Sequence, residues 1–240
     1  MKQIRPTKKL LEQFKNQADT LIFEGYCTNA DSVVIYNEGD SYALIAEVKD
    51  DIKCCLHTNS EQFVLSVVDA LRGCQVEFSG VDPFVTNILR NRFEFLWETN
   101  CYLYVWNGKP LNYECKQDIR PMSAEYAQQV SDGTHYHAPI ADIVEVLSRH
   151  PSAAIYVDGK PVCWCLLHLE KSLGMLYTEP EHRRKGYALE VMTALNNKVI
   201  AKGDVPYAYI VCDNIASQNL AVKYNLERIK RADYFAINLD

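Results

Sequence analysis

The sequence has no apolar run approaching the ~18 residues of a membrane-spanning helix, and its first residues lack the apolar core of a secretory signal. We therefore expect neither a membrane span nor secretion. Before Asp19 the chain carries five cations and one acid, which leaves a mitochondrial leader as the alternative to a surface helix. The predicted compartment is the cytoplasm.

A basic tail or stripe is also missing. The net charge is −6, so we expect no nucleic acid among the partners. The nine cysteines include no C-x-x-C unit, and the pairs Cys54/Cys55 and Cys163/Cys165 lack zinc-type spacing. An odd number of scattered cysteines is typical of reduced thiols in a cytosolic-type compartment. No metal site is predicted.

What the chain does contain is a strand, a glycine turn and a helix in direct succession. Residues 175–177 form a short apolar run, and Pro180 ends it because proline cannot donate to a sheet ladder. From Tyr187 onward the apolar residues recur on one helical face. Gly203 follows that face as a left-handed C-cap residue does. The apolar positions are 188, 191, 192, 195 and 199.

A helix that begins after a glycine turn offers a site for an anion. Its first N–H groups have no partner within the helix, and the helix dipole favours negative charge there. Gly186 lets the backbone approach a ligand, and the small Ala188 keeps the approach open. Three consecutive cations, Arg183, Arg184 and Lys185, add attraction. The predicted ligand is a phosphate or pyrophosphate; the alternative is an ordinary helix start with a solvated basic turn.

This segment resembles the acyl-CoA-binding signature Arg/Gln-x-x-Gly-x-Gly/Ala of the GNAT superfamily, with Arg183, Gly186 and Ala188 at its fixed positions. The resemblance implies acyl-CoA, acetyl-CoA included, as co-substrate, with its pyrophosphate on the loop amides and a strand N–H near the thioester carbonyl. Residues 213–220 also resemble the Asn-x-x-Ser/Ala helix start beside the CoA arm in many such proteins. The cofactor-binding residues expected from the resemblance are Leu176, Tyr177, Thr178, Arg183, Arg184, Lys185, Gly186, Tyr187, Ala188, Asn214 and Ser217.

Two further stretches, Pro-Val-Cys-Trp-Cys-Leu-Leu at 161–167 and Pro-Glu-His-Arg at 180–183, resemble glycine N-acyltransferase-like proteins. That family has two GNAT-like halves, of which only the C-terminal one binds acyl-CoA. The resemblance implies an α/β fold with mixed sheets in two tandem halves. Residues 1–117 would be a degenerate half without the signature, to which we assign no cofactor, and residues 118–240 would be the acyl-CoA-binding catalytic domain.

The order of predicted elements agrees with that fold. From residue 119 the chain is predicted as a strand, two helices, three antiparallel strands, a helix, a strand, a helix and a final strand. In the first half, residues 6–24 are predicted as one amphipathic helix, and Asn59 is predicted to cap a later one. Asp82-Pro83 starts another helix. Residues 93–99 and 101–106 are predicted as two strands.

The residues for proton transfer are harder to assign. Similar enzymes have a glutamate base 14 positions before the signature glycine, where this chain has Ser172. Glu170 is the predicted base, because two residues along a strand restore the same face; Glu179 is an alternative, and His168 ends the preceding strand. A tyrosine acid found in many GNAT enzymes is replaced by Ala221. The predicted catalytic residues are Glu170 and Ser172.

The predicted function is transfer of an acyl group from a CoA thioester to a small amine, such as glycine or another amino acid. His135, Tyr136 and His137 lie between the first two helices of the second half. In similar proteins that loop borders the acceptor, so these side chains either contact the substrate or pack on the surface. Two alternatives remain: a protein or peptide N-acetyltransferase, or a CoA-binding interaction module that lost its base at Ser172.

Overall fold

The computed structural model describes residues 1–110, 113–134 and 138–240. The described chain forms two units. Unit 1 comprises Met1–Tyr104, Tyr209–Ile215 and Arg228–Asp240, and unit 2 comprises Val105–Ala208 and Ala216–Glu227. Over the described ranges, no helix combines the length and the apolar character needed to cross a membrane.

The described chain contains eight α-helices, twelve strands and three short 3-10 helices. The helices are α1 (Lys8–Lys15), α2 (Leu21–Asn29), α3 (Glu61–Ala70), α4 (Pro83–Arg90), α5 (Ala127–Gly133), α6 (Ile140–Arg149), α7 (Tyr187–Ala201) and α8 (Ile215–Lys223). The strands are β1 (Lys2–Ile4), β2 (Ser32–Glu38), β3 (Ser41–Val48), β4 (Asp51–His57), β5 (Gln75–Val81), β6 (Trp97–Trp106), β7 (Ile119–Arg120), β8 (Ala153–Val157), β9 (Lys160–Leu167), β10 (Leu173–Thr178), β11 (Tyr207–Val211) and β12 (Leu226–Asn238).

Unit 1 is organised around an eight-stranded sheet in the order β1-β2-β3-β4-β5-β12-β6-β11. Most of its described pairs are antiparallel, whereas β4 and β5 pair in parallel from Ile52↔Val76 to Cys54↔Phe78. Successive strand residues face opposite sides, so Cys55 packs among side chains of α1 and α2 while Cys54 packs among those of α3 and α4. This alternation explains two adjacent cysteines as core residues on opposite faces.

Unit 2 contains a four-stranded sheet in the order β10-β9-β8-β7. Strand β9 is buried on both faces: Trp164 and Leu166 pack among side chains of α5 and α6, and Cys165 Sγ lies 3.2 Å from Met192 Sδ of α7. Strand β10 is at the edge, and its outer side pairs with no other strand of the described chain.

The predicted strand, turn and helix are confirmed. Strand β10 contains residues 175–177, and α7 begins at Tyr187, the predicted residue. Val191, Leu195 and Val199 are buried along the predicted face. Gly203, just beyond the helix, has φ = 76°, the left-handed conformation of a C-cap glycine.

Three predictions for the first half are wrong in detail. Residues 6–24 form two helices, because the chain turns after α1 and the Thr20 hydroxyl donates to the Phe14 carbonyl over 2.9 Å. Residues 93–106 contain one strand, β6, rather than two. The cap of α3 is Ser60 rather than Asn59: its Oγ accepts from the Phe63 N–H over 3.2 Å.

Candidate functional site

A cavity of about 460 Å³ lies in unit 2, where the end of β10 meets the start of α7. Eight of the eleven predicted cofactor residues line it, whereas Lys185, Asn214 and Ser217 do not. The eight are Leu176, Tyr177, Thr178, Arg183, Arg184, Gly186, Tyr187 and Ala188. Strand, loop and helix therefore bring most of the predicted site together, although a role in binding stays a prediction for all eleven.

The loop before α7 has an unusual backbone. Arg184 has φ = 62° and Gly186 has φ = 83°, both left-handed. A left-handed conformation is strained for arginine and ordinary for glycine. Turns that mix left- and right-handed residues point successive N–H groups into one concavity, which binds anions. The left-handed residues 184 and 186 agree with such a turn, and an anion at this loop stays a prediction.

The N-terminus of α7 is left without a side-chain cap by the described residues. Its N-cap residue is Gly186, which has no side chain to offer, and Tyr187 and Ala188 follow along the cavity wall. The first N–H groups of a helix need an acceptor from outside the helix. A ligand in the cavity can supply it.

Helix α3 of unit 1 provides a contrast, since it is also the first α-helix after a strand. There Ser60 caps the helix with its own hydroxyl, and Thr58 Oγ1 accepts from the Ser60 N–H over 3.0 Å. Only residues 58–60 separate β4 from α3, whereas residues 179–186 separate β10 from α7. At α3, a side chain of the protein accepts a hydrogen bond from one of the first N–H groups of the helix. At α7 no side chain does so among the described residues, and the corresponding N–H groups lie beside the cavity.

The cations of the loop lie around the cavity in different ways. Arg183 Nε donates to the Thr178 carbonyl over 2.9 Å, and its guanidinium lies 5.6 Å from the centre of the Tyr177 ring. Lys185 Nζ is 3.5 Å from His182 Nδ1. The contacts with Thr178 and Tyr177 therefore hold the Arg183 side chain against β10.

Strand β10 is irregular beside the cavity. Gly174 pairs with Leu166 and Tyr177 pairs with Trp164, so two residues of β10 oppose one residue of β9. Met175, inside this bulge, has φ = 50°. A bulge redirects backbone groups and is common next to active sites, and here it lies immediately before the cavity residues Leu176 and Tyr177.

A thiol also borders the cavity. Cys163 Sγ lies 3.1 Å from Thr178 Oγ1, and Thr178 lines the cavity. Burial raises the pKa of the Cys163 thiol to about 12, so the group is a neutral thiol at physiological pH. Thiolates rather than thiols act as nucleophiles, and Cys163 is therefore a packing residue.

The predicted catalytic pair lies away from the cavity wall. Strand β9 ends at Leu167, so Glu170 occupies the hairpin turn and the prediction that it shares a strand face with Ser172 is wrong. The turn is closed by the His168 N–H, which donates to the Ser172 carbonyl over 2.8 Å. Glu170 Oε1 accepts from Ser172 Oγ over 2.6 Å, and both residues are buried. Catalytic roles for Glu170 and Ser172 stay predictions.

The other candidates have different placements. Glu179 Oε1 accepts from Gln129 Nε2 over 2.6 Å, which ties the start of the loop to α5. Asn214 precedes α8, and Ser217 lies in its first turn. His135, Tyr136 and His137 lie outside the described residues.

Four cavity residues escaped the sequence analysis: His182, Leu189, Leu220 and Lys223. His182 and Leu189 are neighbours of the signature and could have been included with it. Leu220 and Lys223 lie three residues apart on α8 and therefore share a face. The resemblance drew attention to the start of α8, whereas the cavity is lined by its second half.

The tyrosine near the end of α8 also has a defined partner. Tyr224 follows the last residue of α8, and its hydroxyl donates to the Ala188 carbonyl over 2.7 Å. Burial raises the pKa of Tyr224 above the usual value for a tyrosine. The side chain therefore links α8 to the first turn of α7 as a neutral hydrogen-bond donor.

Comparison with known proteins gives a consistent result. The FR47-like protein family model matches residues 157–235. An X-ray structure of a Drosophila protein is similar at 16% identity with a TM-score of 0.69, covering 98% of this chain and 91% of that one. A GCN5-related N-acetyltransferase-like protein from Streptococcus suis is similar at 12% identity with a TM-score of 0.58, covering 96% and 98%.

A tandem GNAT protein from the clavulanic acid biosynthesis pathway is also similar, at 11% identity with a TM-score of 0.56, covering 97% of this chain and 94% of that one. At such identities the likeness concerns the fold. The chain has the mixed α/β fold of the GNAT acetyltransferases, and the likeness to a tandem member extends over nearly its whole length.

Proposed function

We propose that this protein is an acyl-CoA-dependent N-acyltransferase that moves an acyl group, acetyl or longer, to a small amine such as glycine or another amino acid. One observation carries the proposal. The uncapped N-terminus of α7, led by Gly186, opens on a cavity of about 460 Å³ beside the outer edge of β10. The GNAT fold supports the same conclusion.

The pyrophosphate of acyl-CoA suits the start of α7. The N–H groups of Gly186, Tyr187 and Ala188 would hold its oxygens, and Arg184 and Lys223 would add positive charge at the cavity. An anion at a helix N-terminus gains up to ~2 kcal/mol in a partly buried position. Gly186 leaves its own approach open, because a Cβ built there meets no atom within 4 Å.

The pantetheine arm of acyl-CoA carries amide groups and suits the outer edge of β10. An exposed strand edge binds an extended amide chain by adding it to the sheet. In unit 1, β4, the strand before α3, is paired with β5 from Ile52 to Cys54, so that part of its edge is not open to an added chain. This difference favours unit 2 for acyl-CoA.

For the chemical step, we propose that a backbone N–H near Leu176–Tyr177 donates to the thioester carbonyl oxygen as negative charge develops on it. The acceptor amine must lose a proton before it attacks. The sequence-based prediction for the base is Glu170, and the hydrogen bond from Ser172 gives it a route through the Ser172 hydroxyl. Under that prediction Glu170→Gln lowers kcat by ~10²–10⁴ and leaves acyl-CoA affinity unchanged.

One alternative has support of its own. Ser172 stands where similar enzymes have a glutamate and Ala221 where many have a tyrosine, which favours a CoA-binding module without turnover. A protein or peptide acceptor differs from a small amine only in the acceptor groove.

Titration calorimetry with acetyl-CoA, followed by a CoA-release assay over amino acids, other small amines and peptides, tests these proposals. Binding together with release on a small amine supports the proposed function. Release on peptides alone assigns the second function, and binding without release assigns the module. No binding of acetyl-CoA refutes all three.

A further inference from the structure

The turn between β9 and β10 places an imidazole directly against the backbone of β10. A Cβ built on Gly174 would lie 2.0 Å from His168 Nε2 and 2.4 Å from His168 Cδ2. Real Cβ atoms do not approach other atoms so closely, so the ring occupies the space that any side chain at position 174 would need. Glycine at 174 and histidine at 168 therefore form a matched pair.

The face on which this ring lies follows from the register. Gly174 pairs with Leu166, and Tyr177 pairs with Trp164. Directly paired residues of neighbouring strands share a face, and Leu166 and Trp164 pack among side chains of α5 and α6. His168 is thus on the α5 and α6 face of β10, at the beginning of the bulge.

Distance along the strand separates His168 from the other candidate bases. Gly174, under the imidazole, lies two residues before Leu176, with only the bulge residue Met175 between them. Ser172 lies four residues before Leu176, in the turn that precedes β10. Along the chain, the imidazole therefore rests against a β10 residue nearer than Ser172 to the strand N–H groups that we propose for the thioester carbonyl.

The titratable groups around this turn are otherwise engaged. Glu170 accepts from Ser172 and its carbonyl accepts from the Tyr207 hydroxyl. Lys171 Nζ lies 3.8 Å from Asp204 Oδ1. His150 Nε2 is 3.2 Å from the Leu169 carbonyl, and burial lowers the pKa of His150, with Lys171 and Lys202 acting in the same direction. Within the described chain, no hydrogen bond is formed by the imidazole of His168.

We infer that His168 is the general base of the acyl transfer, an inference that rests on the function proposed above. A ring nitrogen of His168 takes one proton from the ammonium form of the acceptor. The neutral amine attacks the thioester carbonyl, the C–N bond forms, and the carbonyl electron pair moves to oxygen. Its return breaks the C–S bond; the thiolate takes the second amine proton, and the imidazolium releases its proton to solvent.

The chemistry of imidazole agrees with this placement. A base works best when its pKa lies near the working pH, and an imidazole in water titrates near ~6.5 whereas a glutamate titrates near ~4.3. The base must be unprotonated to act. If His168 is the base, the limb of the kcat/KM profile on which the rate rises with pH, here called the histidine limb, is lost when the imidazole is replaced. If Glu170 is the base, that limb is lost when the carboxylate is replaced instead.

The test measures acetyl-CoA affinity and the pH profile of kcat/KM for the acceptor that the CoA-release assay identifies. It compares the full chain with four variants, His168→Gln, Gly174→Ala, Glu170→Gln and His150→Gln. His168→Gln is expected to lose ~10²–10⁴ in kcat, keep its acetyl-CoA affinity and lose the histidine limb of the profile. Gly174→Ala keeps the imidazole but displaces it, so kcat falls while affinity stays. The matched histidine control His150→Gln keeps the histidine limb, and loss of the limb in Glu170→Gln alone would assign the base to Glu170.

A fifth variant, His168→Ala, provides a readout that a structural role would not produce, since added imidazole is expected to restore part of its rate. If His168→Gln keeps the wild-type rate and profile, or if only Glu170→Gln loses the limb, His168 is not the base, although the proposed function stands. If the wild-type protein neither binds acetyl-CoA nor releases CoA, the proposed function fails and this inference fails with it.

Discussion

The glycines at the two ends of α7 allow the anion site to be tested with a matched pair of substitutions. Gly186 precedes the helix with φ = 83°, and Gly203 follows it with φ = 76°. A Cβ built at either position meets no atom within 4 Å. Valine therefore imposes similar backbone strain at both, on the order of 1–3 kcal/mol. Only Gly186 lines the cavity.

From these positions the expected magnitudes follow. Gly186→Val places a branched side chain where the pyrophosphate would approach, and removes an interaction of up to ~2 kcal/mol. That loss corresponds to about a thirtyfold increase in the Kd of acetyl-CoA. Gly203→Val is expected to lower the free energy of unfolding by a similar amount and to leave the Kd unchanged.

Calorimetry with acetyl-CoA and denaturant unfolding of both variants provide the measurements. Equal Kd values for a folded Gly186→Val protein and the wild type would refute the assignment of the cavity. Equal losses of affinity in the two variants would show that strain in α7, rather than its N-terminus, controls binding.

Three further predictions concern charge, capping and strain. Arg183→Glu combined with Arg184→Glu should weaken acetyl-CoA binding, and the loss should be larger at low salt. The control is Lys8→Glu combined with Lys9→Glu, which makes the same charge change on the exposed side of α1 and should leave the Kd unchanged. Equal weakening in both double variants would exclude a local effect of the loop charges. Ser60→Ala should lower the free energy of unfolding by about 0.5–2 kcal/mol without changing the acetyl-CoA Kd, and a changed Kd would contradict the contrast between α3 and α7. Arg184→Gly relieves a left-handed arginine and should raise stability in urea by about 1 kcal/mol; a loss of stability would show that the arginine side chain holds the turn.

The sequence predicts this site only where a residue type indicates its own backbone conformation. Gly186 and the apolar spacing of α7 located the start of the helix to the residue. Glycine marks a left-handed position because it alone adopts that conformation without strain. Lys171, Met175 and Arg184 are also left-handed, yet nothing in their side chains indicates it.

That limit explains the error at Glu170. The hairpin turn contains the left-handed Lys171 and no glycine. Because nothing in the sequence indicates a turn there, the strand is predicted to continue through Glu170. Leu220 and Lys223 were missed for another reason: a helix pattern identifies a shared face, but packing decides whether that face lines a cavity. Residues 6–24 divide into two helices where the Thr20 hydroxyl donates to the Phe14 carbonyl, a contact that residue spacing does not encode.

Hydrogen exchange with and without acetyl-CoA tests the central claim most directly, because it reports on the N–H groups themselves. If α7 and β10 hold acyl-CoA, the ligand should slow exchange at residues 186–188 and 176–177, and leave the start of α3 at residues 61–63 unchanged. Slower exchange at α3, or no change at residues 186–188 under saturating acetyl-CoA, would contradict the claim that the N-terminus of α7 is the binding site.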